Sequence, residues 1–282
     1  MGGMPVLYLV LGAAGLLMGW AAWHRHGLLR ASTMFLVSGT VVGYADMVAH
    51  SLFQLYEYKP GLLPTLTSDG PLGFICAELL FVPGLATGVL LNPRYRTLGV
   101  AVLLVLPLLL IEHGFVALQL LAHTGWRLIH SAVTFLTYFW LLGAWLNRLE
   151  RVGYDGVNRA VVLVAGGTYI TMFLGTLSGF VMGLWGASPE VFGERYQGLI
   201  LGAILLYFTP HLIVTVAAVG LGWARTPAHY GGLAALKLAW VLALSAAGLW
   251  RNAYPWVPAA ALWITPFTVW LVGRIDQRIP HW

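Results

Sequence analysis

The sequence predicts an all-α polytopic membrane helix bundle with about nine transmembrane helices. Of its 282 residues, 59% are hydrophobic and 9% are charged, whereas soluble domains carry about 25% charged residues. The apolar residues also form runs of roughly 20 residues, the length with which a helix crosses a bilayer. These runs lie at 5–23, 31–54, 72–92, 97–121, 128–147, 160–185, 198–223, 230–250 and 255–273.

The distribution of basic residues predicts the orientation of these helices. With the N-terminus outside, ten of the 15 Lys and Arg residues fall in cytoplasmic loops and four in outer loops, and Lys237 lies within the predicted eighth helix. Positive residues favour cytoplasmic loops, so we expect a multi-pass plasma-membrane protein with its N-terminus outside and its C-terminus in the cytoplasm. The basic residues are scattered along short loops and form no patch, so no nucleic acid is expected as a partner, whereas the apolar composition predicts the lipid bilayer as one.

The start of the first apolar run bears on whether it is a signal peptide, and the cysteine content bears on disulfides and thiolate metal sites. Residues 1–5 contain no Lys or Arg, so the first apolar run lacks the basic start of a secretory signal and is expected to be a retained helix. Cys76 is the only cysteine in the sequence. An intrachain disulfide is therefore excluded, and a thiolate metal site is not expected.

An internal repeat divides the predicted bundle into one helix and two tandem four-helix units. Trp-Leu-Leu-Gly at 140–143 recurs as Trp-Leu-Val-Gly at 270–273, and Arg-Ala at 30–31 recurs at 159–160, both at separations near 129. Chance similarity between Leu-rich helices is the alternative explanation. The predicted domains are a first transmembrane helix and basic loop (1–30), a unit with a polar pocket (31–158) and a second, degenerate unit (159–282).

The first unit also carries loose motifs of a known kind. Tyr-Glu-Tyr-Lys-Pro at 56–60 is followed by an apolar segment centred on Glu78, by Asn92-Pro93 and by Glu112. These motifs resemble an uncharacterised family of small multi-pass membrane proteins of Gram-positive bacteria, and the resemblance covers only the first half of the chain. It implies no activity, but it makes Glu78 and Glu112 part of a shared pattern.

Six ionisable side chains occupy the apolar runs of the first half. Such residues are costly in a bilayer and commonly functional. On the predicted topology, all six lie in the outer half of the membrane, and Asp46 and His50, four residues apart, share one helix face. We therefore predict an outward-facing pocket in the first four-helix unit. The six residues are Asp46, His50, Glu78, Glu112, His113 and His130.

The leading hypothesis is a metal-dependent membrane enzyme acting on a lipid or another amphiphile. Carboxylates and imidazoles are ligands of zinc, iron and manganese, and Glu112 or Glu78 would then act as the catalytic general base. The spacing matches no HExxH or ExxH signature. The predicted divalent-metal ligands are Asp46, His50, Glu78, Glu112 and His130.

Three other hypotheses stay open at this point. A proton- or cation-coupled transporter would use the same carboxylates. A haem protein would take two axial ligands from His50, His113 and His130. A non-catalytic membrane subunit would pair its polar residues with each other. In the second half, we expect His211 to be hydrogen-bonded packing and Lys237 to extend to the membrane boundary.

Overall fold

The computed structural model describes residues 6–63, 66–192, 196–223, 226–258 and 263–279. The chain divides into two compact units, one ending at Asn158 (unit 1) and the other beginning at Arg159 (unit 2). Both units are built of helices, and each contains one small antiparallel pair of strands. The helical fold class predicted from the apolar runs is therefore found.

Unit 1 contains six α-helices and two short strands within its described residues. Two helices are interrupted or extended by π-helical turns, at Met47–Leu52 and Ile75–Phe81. The elements in chain order are α1 Val6–His26, α2 Leu28–Asp46, β1 Tyr56–Tyr58, α3 Leu66–Phe74, α4 Val82–Leu90, α5 Leu98–Ala117, β2 Leu121–His123 and α6 Leu128–Val152.

The π-helical turn between α3 and α4 has a local cause in the sequence. Pro83 lies two residues after its end at Phe81, and a proline lacks the N–H of the helical ladder and clashes with the carbonyl four residues earlier. A wider turn before the proline relieves that clash while the chain stays helical. The same arrangement occurs in unit 2, where Pro210 follows a π-helical turn at Ile204–Phe208.

Helices α1 and α4 approach each other through two glycines. A Cβ atom on Gly84 would lie 2.1 Å from the backbone oxygen of Gly15, and one on Gly15 would lie 2.2 Å from the backbone oxygen of Leu80. Small residues allow this close backbone packing between membrane helices. The contact fixes α1 against the helix pair that follows β1.

A buried arginine joins α4 to α6 at the end of unit 1 that is remote from the strands. The Arg96 guanidinium donates to both carboxylate oxygens of Glu150, at 2.7 and 2.8 Å. It also donates to the carbonyl oxygen of Leu90 at 2.7 Å. The arginine therefore closes the C-terminal end of α4, where backbone carbonyls have no helical partners.

The strand pair lies at the opposite end of the helices. Strand β1 pairs with β2 in the register Tyr56 to His123 and Tyr58 to Leu121. Gly73 of α3 makes room for the strand, because a Cβ there would lie 2.8 Å from the Cβ of Tyr58. The Asp69 carboxylate accepts three backbone N–H bonds, at 2.6 to 2.9 Å, from residues 61–63 and so fixes the segment after β1.

Unit 2 repeats the same kinds of element. Near its first residue, the Arg159 guanidinium donates to both oxygens of Asp276, at 2.9 to 3.2 Å, and ties the first helix of the unit to the last. The elements are α7 Gly156–Gly175 with a π-helical turn Thr176–Val181, β3 Trp185–Ala187, α8 Pro189–Phe192, α9 Tyr196–Ala203, α10 Thr209–Gly220, α11 Pro227–Ala246, β4 Trp250–Asn252 and α12 Ile264–Arg278.

Equivalent elements of the two units start at a constant separation. Strands β1 and β3 begin at Tyr56 and Trp185, which are 129 residues apart, and β2 and β4 begin at Leu121 and Trp250, again 129 apart. The four π-helical turns of the described residues also form two such pairs, at Met47 and Thr176 and at Ile75 and Ile204. The units thus share one order of elements, including their irregular turns.

Seven helices of the described residues are long and apolar enough to cross a membrane, with lengths of 20 to 26 residues. Five of them belong to unit 1 and include α1, α5 and α6. The 15-residue α12 is shorter than a typical crossing, and residues 259–262 of the predicted ninth run lie outside the described part. The chain is therefore a multi-pass membrane protein, and the count of nine crossings stays a prediction.

Candidate functional site

A cavity lies inside unit 1, between the helices and the strand pair. Its empty volume is about 770 Å³, including its open mouth. Residues of α1, α2, α5 and α6 form its walls, and β1 covers the end that carries the polar groups. Three carboxyl side chains line it, from Asp46, Glu78 and Glu112. The structure therefore brings together the three acidic residues on which the sequence prediction depends.

Asp46 accepts hydrogen bonds from two tyrosines of the same strand. The last residue of α2, Asp46 is buried. The Tyr58 hydroxyl donates to its Oδ1 atom at 2.6 Å, and the Tyr56 hydroxyl donates to the same atom. Two donors on one oxygen stabilise a carboxylate in its charged form.

Tyr58 also reaches the second carboxyl group. Its hydroxyl oxygen lies 3.2 Å from Oε1 of Glu78, a buried residue on the π-helical turn before α4. A phenol has one proton and can donate it to one acceptor at a time. When Tyr58 donates to Asp46, the bond to Glu78 therefore requires a protonated Glu78 that donates to the phenol oxygen. The three groups form a proton-sharing set.

Burial shapes the titration of the two tyrosines, which lie outside the membrane-spanning helices. It raises the pKa of the Tyr58 hydroxyl well above the ordinary value for a phenol, and the charge of the neighbouring Asp46 raises it further. The same two causes, in the same order, raise the pKa of Tyr56. Both phenols consequently remain proton donors to Asp46 over the physiological pH range.

Each carboxyl group of the set keeps one oxygen without a partner. Asp46 Oδ2 and Glu78 Oε2 are buried and have no hydrogen-bond partner among the described residues. Buried polar atoms are normally paired with protein or ordered water. Two such atoms beside a cavity therefore indicate where a ligand or water would bind.

His50 contacts strand β1 but does not line the cavity. It is buried on the π-helical turn that continues α2, and its Nδ1 atom lies 2.8 Å from the backbone oxygen of Tyr56. Its ring packs edge-on against Tyr58, with centroids 5.1 Å apart. His50 thus positions strand β1 over Asp46.

Glu112 belongs to a second polar chain on the other side of the cavity. Its Oε1 atom accepts from the Ser131 hydroxyl at 2.8 Å and lies 3.0 Å from Nε2 of His123. Trp126 donates in turn to the Ser131 oxygen at 2.6 Å. Because the glutamate lies between the serine and the histidine, the histidine does not contact the serine oxygen, as it would in a hydrolase triad.

Two predicted histidines lie outside the cavity. The Nδ1 atom of His130 accepts from the backbone N–H of Arg127 at 3.0 Å, so His130 caps the start of α6 on an exposed surface. His113 is also exposed. The pair of axial histidines needed for a haem is thus not assembled from His50, His113 and His130.

The predicted metal centre is not shown by the part of the chain that the structure describes. The described residues contain no group of three or more His, Cys, Asp or Glu side chains that could hold a metal ion. Glu112 is engaged by Ser131, His130 caps a helix, and Asp46 is bonded to two phenols. Glu112 and His130 are thus engaged apart from Asp46 and Glu78, so we assign no step to a metal.

Sequence reasoning missed the hydroxyl groups that organise the site. Tyr56, Tyr58 and Ser131 are not among the predicted site residues, because only ionisable side chains in the apolar runs count as candidates. The alternation of the Tyr-Glu-Tyr segment was the available signal, because residues two apart on a strand share one face. The predicted run 97–121 also extends past the end of α5, which lies at Ala117, because Gln119 adopts a positive φ of 59° before β2.

The corresponding region of unit 2 is filled by aromatic rings. Trp185 occupies on β3 the position that Tyr56 has on β1, and its ring lies 4.3 Å from that of Tyr207. The positions 129 residues after Asp46 and His50 are Gly175 and Gly179. A Cβ on Gly179 would lie 3.0 Å from the Trp185 ring. Aromatic rings therefore occupy the space beside these two glycines.

The two polar residues predicted for this region lie in that aromatic cluster. His211 bonds to Thr265 at 3.0 Å through Nδ1, as packing would require. Lys237 does not extend to the boundary, because it is only 6% exposed and its Nζ atom lies 3.5 Å from the centre of the Tyr207 ring. A cation over an aromatic face is attracted by the ring quadrupole, which offsets part of the cost of burial.

Comparison of the chain with models of known protein families finds no match. Comparisons with curated proteins and with solved structures also find none.

Proposed function

We propose that unit 1 is an acid–base membrane enzyme that binds an amphiphile in its cavity and exchanges a proton with it through Asp46, Tyr58 and Glu78. The observation that carries the proposal is the single Tyr58 hydroxyl within hydrogen-bonding distance of both carboxyl groups. In this proposal, Glu78 carries the shared proton and Asp46 is the acceptor. General acid–base catalysis needs both states near the substrate.

The shape and polarity of the cavity support an amphiphilic substrate. Apolar side chains such as Leu11, Leu108 and Phe135 form most of its walls, whereas the Asp46 and Glu78 carboxyl groups lie beside Tyr58 of β1. A ligand with an apolar body and one polar end matches this division. On the orientation favoured by the loop charges, the substrate would enter from the outer leaflet of the plasma membrane.

The competing functions receive less support from the geometry. A metal-dependent mechanism lacks a ligand group among the described residues. A proton- or cation-coupled transporter would use the same carboxyl groups and stays a prediction. The proton-sharing set is explained most directly by chemistry at one site.

The test uses purified protein in nanodiscs, incubated with total bacterial lipid extract in heavy water. An acid–base enzyme leaves deuterium at a carbon position of its substrate or produces a new lipid, and mass spectrometry detects both. We expect a change that depends on the wild-type protein and is lost in Glu78→Gln. Glu57→Gln is the matched control, because Glu57 is partly exposed and pairs with Lys59 at 3.0 Å. Identical lipid spectra with and without the wild-type protein would overturn the proposal.

A further inference from the structure

The charged side chains that line the cavity are all acidic. Three carboxyl groups line the cavity, and within the part of the chain that the structure describes, its lining includes no Lys, Arg or His residue. His50, the nearest basic group to Asp46, acts on it electrostatically but lies outside the lining. Glu112 is directed to Ser131 and His123. The part of the surface that a ligand would meet is therefore neutral to negative.

The hydrogen-bonding capacity of the lining has the same bias. Asp46 Oδ1 is saturated by two phenols, and Asp46 Oδ2 remains as an unpaired acceptor. Glu78 Oε2 is also unpaired and adjoins the same set. A buried acceptor without a donor is unfavourable, because it loses its hydrogen bonds to water and gains none from the protein. A ligand that donates hydrogen bonds would remove this cost, whereas a ligand with only acceptors would increase it.

Aromatic rings surround the acidic end of the cavity. Tyr8, Tyr56, Tyr58 and Trp126 all line it. Their rings contact one another at angles between 62° and 89°, with centroids 5.5 to 6.1 Å apart. Faces and edges of several rings therefore border one small space. Such a border favours a cation over a neutral group, because each aromatic face carries partial negative charge.

We infer that the polar end of the ligand is a primary ammonium group on a long apolar chain. This inference rests on the proposed function and specifies its substrate class. The ammonium donates to Asp46 Oδ2 and Glu78 Oε2, and the surrounding rings stabilise its charge. Proton exchange then breaks one N–H bond of the ammonium and forms one O–H bond on the Asp46 carboxylate. The products are a neutral amine and a carboxylic acid, and no other reactant is needed. Because N–H bonds also exchange with water without an enzyme, this step is tested by the binding measurements below and not by the heavy-water experiment.

Four probes that share a dodecyl chain test this inference. Dodecylammonium, dodecyltrimethylammonium, dodecanol and dodecyl sulfate are titrated into the full-length protein in a neutral maltoside detergent, with binding followed by calorimetry. We expect dodecylammonium to bind about tenfold or more tightly than dodecanol and dodecyl sulfate to bind most weakly. The trimethyl probe should bind between dodecylammonium and dodecanol, because it carries the charge but donates no hydrogen bond.

Matched variants separate specific binding from partition into the detergent. The double variant Asp46→Asn/Glu78→Gln keeps the size of both side chains and should lose the preference for ammonium, while Glu57→Gln should keep it. Thermal unfolding of each variant shows whether it is folded, and Asp46→Glu provides a second variant that preserves the charge. It should retain the preference for the cationic probe.

The outcomes distinguish the ligand class from the proposed function. If dodecanol or dodecyl sulfate binds the wild type as tightly as dodecylammonium, the ammonium inference is wrong and amphiphile binding stands. Equal binding of the trimethyl probe and dodecylammonium would remove the hydrogen-bonding step and with it the proton exchange. If no probe binds the wild type more tightly than the double variant, amphiphile binding at this site is itself refuted.

Discussion

The space beside the first strand of each unit is an open, polar cavity in unit 1 and is filled by aromatic rings in unit 2. In unit 1, strand β1 covers a cavity and directs two phenols at a buried carboxylate. In unit 2, the equivalent strand β3 inserts Trp185 into the space, where it stacks on Tyr207 and Trp250 with centroids 4.3 and 5.1 Å away. The order of elements is common to both, so the frame alone does not create a site. Side chains at a few positions decide whether the interior is open and polar or closed and aromatic.

The contrast also explains which half of the chain should carry function. Gly175 leaves no free space, because a Cβ there would lie 2.4 Å from the Phe208 ring. Small residues in unit 2 thus accommodate rings, whereas Asp46 and His50 provide polar atoms in unit 1. An open polar cavity costs stability, since unpaired carboxyl oxygens are unfavourable. Proteins usually keep such unpaired groups where a bound ligand offsets the loss of stability.

The largest expected effect comes from a bulky substitution in the glycine contact between α1 and α4. Gly84→Leu places a side chain where even a Cβ would lie 2.1 Å from the Gly15 oxygen. Helices α1 and α4 must then separate, which removes Tyr8 from the cavity wall. We expect little or no folded protein, measured by size-exclusion chromatography after detergent extraction. Gly88→Ala is the control and should fold normally, because the nearest atom to its Cβ would be 3.6 Å away.

The next effect tests whether unit 2 is stabilised by its aromatic filling. Trp185→Ala should lower the free energy of unfolding by about 3–5 kcal/mol, because it leaves a large void in a buried cluster. Thermal unfolding followed by circular dichroism measures the loss. Trp256→Ala, at a position 54% exposed, should change stability little. Equal losses for the two variants would contradict the filled-core description of unit 2.

A smaller effect is expected when the bridging hydroxyl of unit 1 is removed. Tyr58→Phe keeps the ring but leaves Asp46 and Glu78 without their common partner, which should cost about 1–3 kcal/mol. Unlike Trp185→Ala, it should also abolish the lipid modification that requires Glu78. Tyr44→Phe, at a position 40% exposed, serves as the control. A fully active Tyr58→Phe protein would show that the carboxyl groups act independently.

The smallest effect is spectroscopic and concerns the raised pKa of the β1 phenols. Because the unfolded chain ionises its tyrosines near pH 10 and the folded chain keeps Tyr56 neutral, the associated stability is complete below that pH and is lost as the pH rises above it. At pH about 11, Tyr56→Phe should leave the tyrosinate absorbance of the folded protein unchanged. In denaturant, it should remove about one of the 12 tyrosine signals. A loss in the folded state would contradict the buried position of Tyr56.

Much of the helical framework follows from hydrophobic pattern, whereas the site depends on details that the pattern does not encode. Runs of apolar residues predict α1, α5 and α6 to within a few residues, because bilayer thickness fixes their length. Asp46, Glu78 and Glu112 stand out because ionisable groups are costly in lipid. The pairing of β1 with β2 joins segments more than 60 residues apart, and single-sequence periodicity carries no information on such a contact.

The choice of ligands was harder to predict for a related reason. Asp46 and His50 share a helix face, which made a common metal ion attractive. The turn that carries His50 is π-helical, so the imidazole meets the backbone of Tyr56 while the carboxylate meets its hydroxyl. The spacing of four residues therefore predicted that the two side chains are neighbours. The groups of Tyr56 that bind each of them separately could not be predicted without the fold.

The π-helical turns give this protein an unusual response to changes in chain length. Each contains about one more residue than an α-helical turn, and one residue of an α-helix corresponds to a rotation of about 100°. Deleting a single residue within Met47–Leu52 would restore an α-helical turn and rotate His50 and the start of β1 relative to Asp46, while α2 itself stayed unchanged. Insertions and deletions in these turns therefore act as angular adjustments of the strand over the cavity. A change of one residue in such a turn can therefore reorient a site while the helices that cross the membrane stay the same.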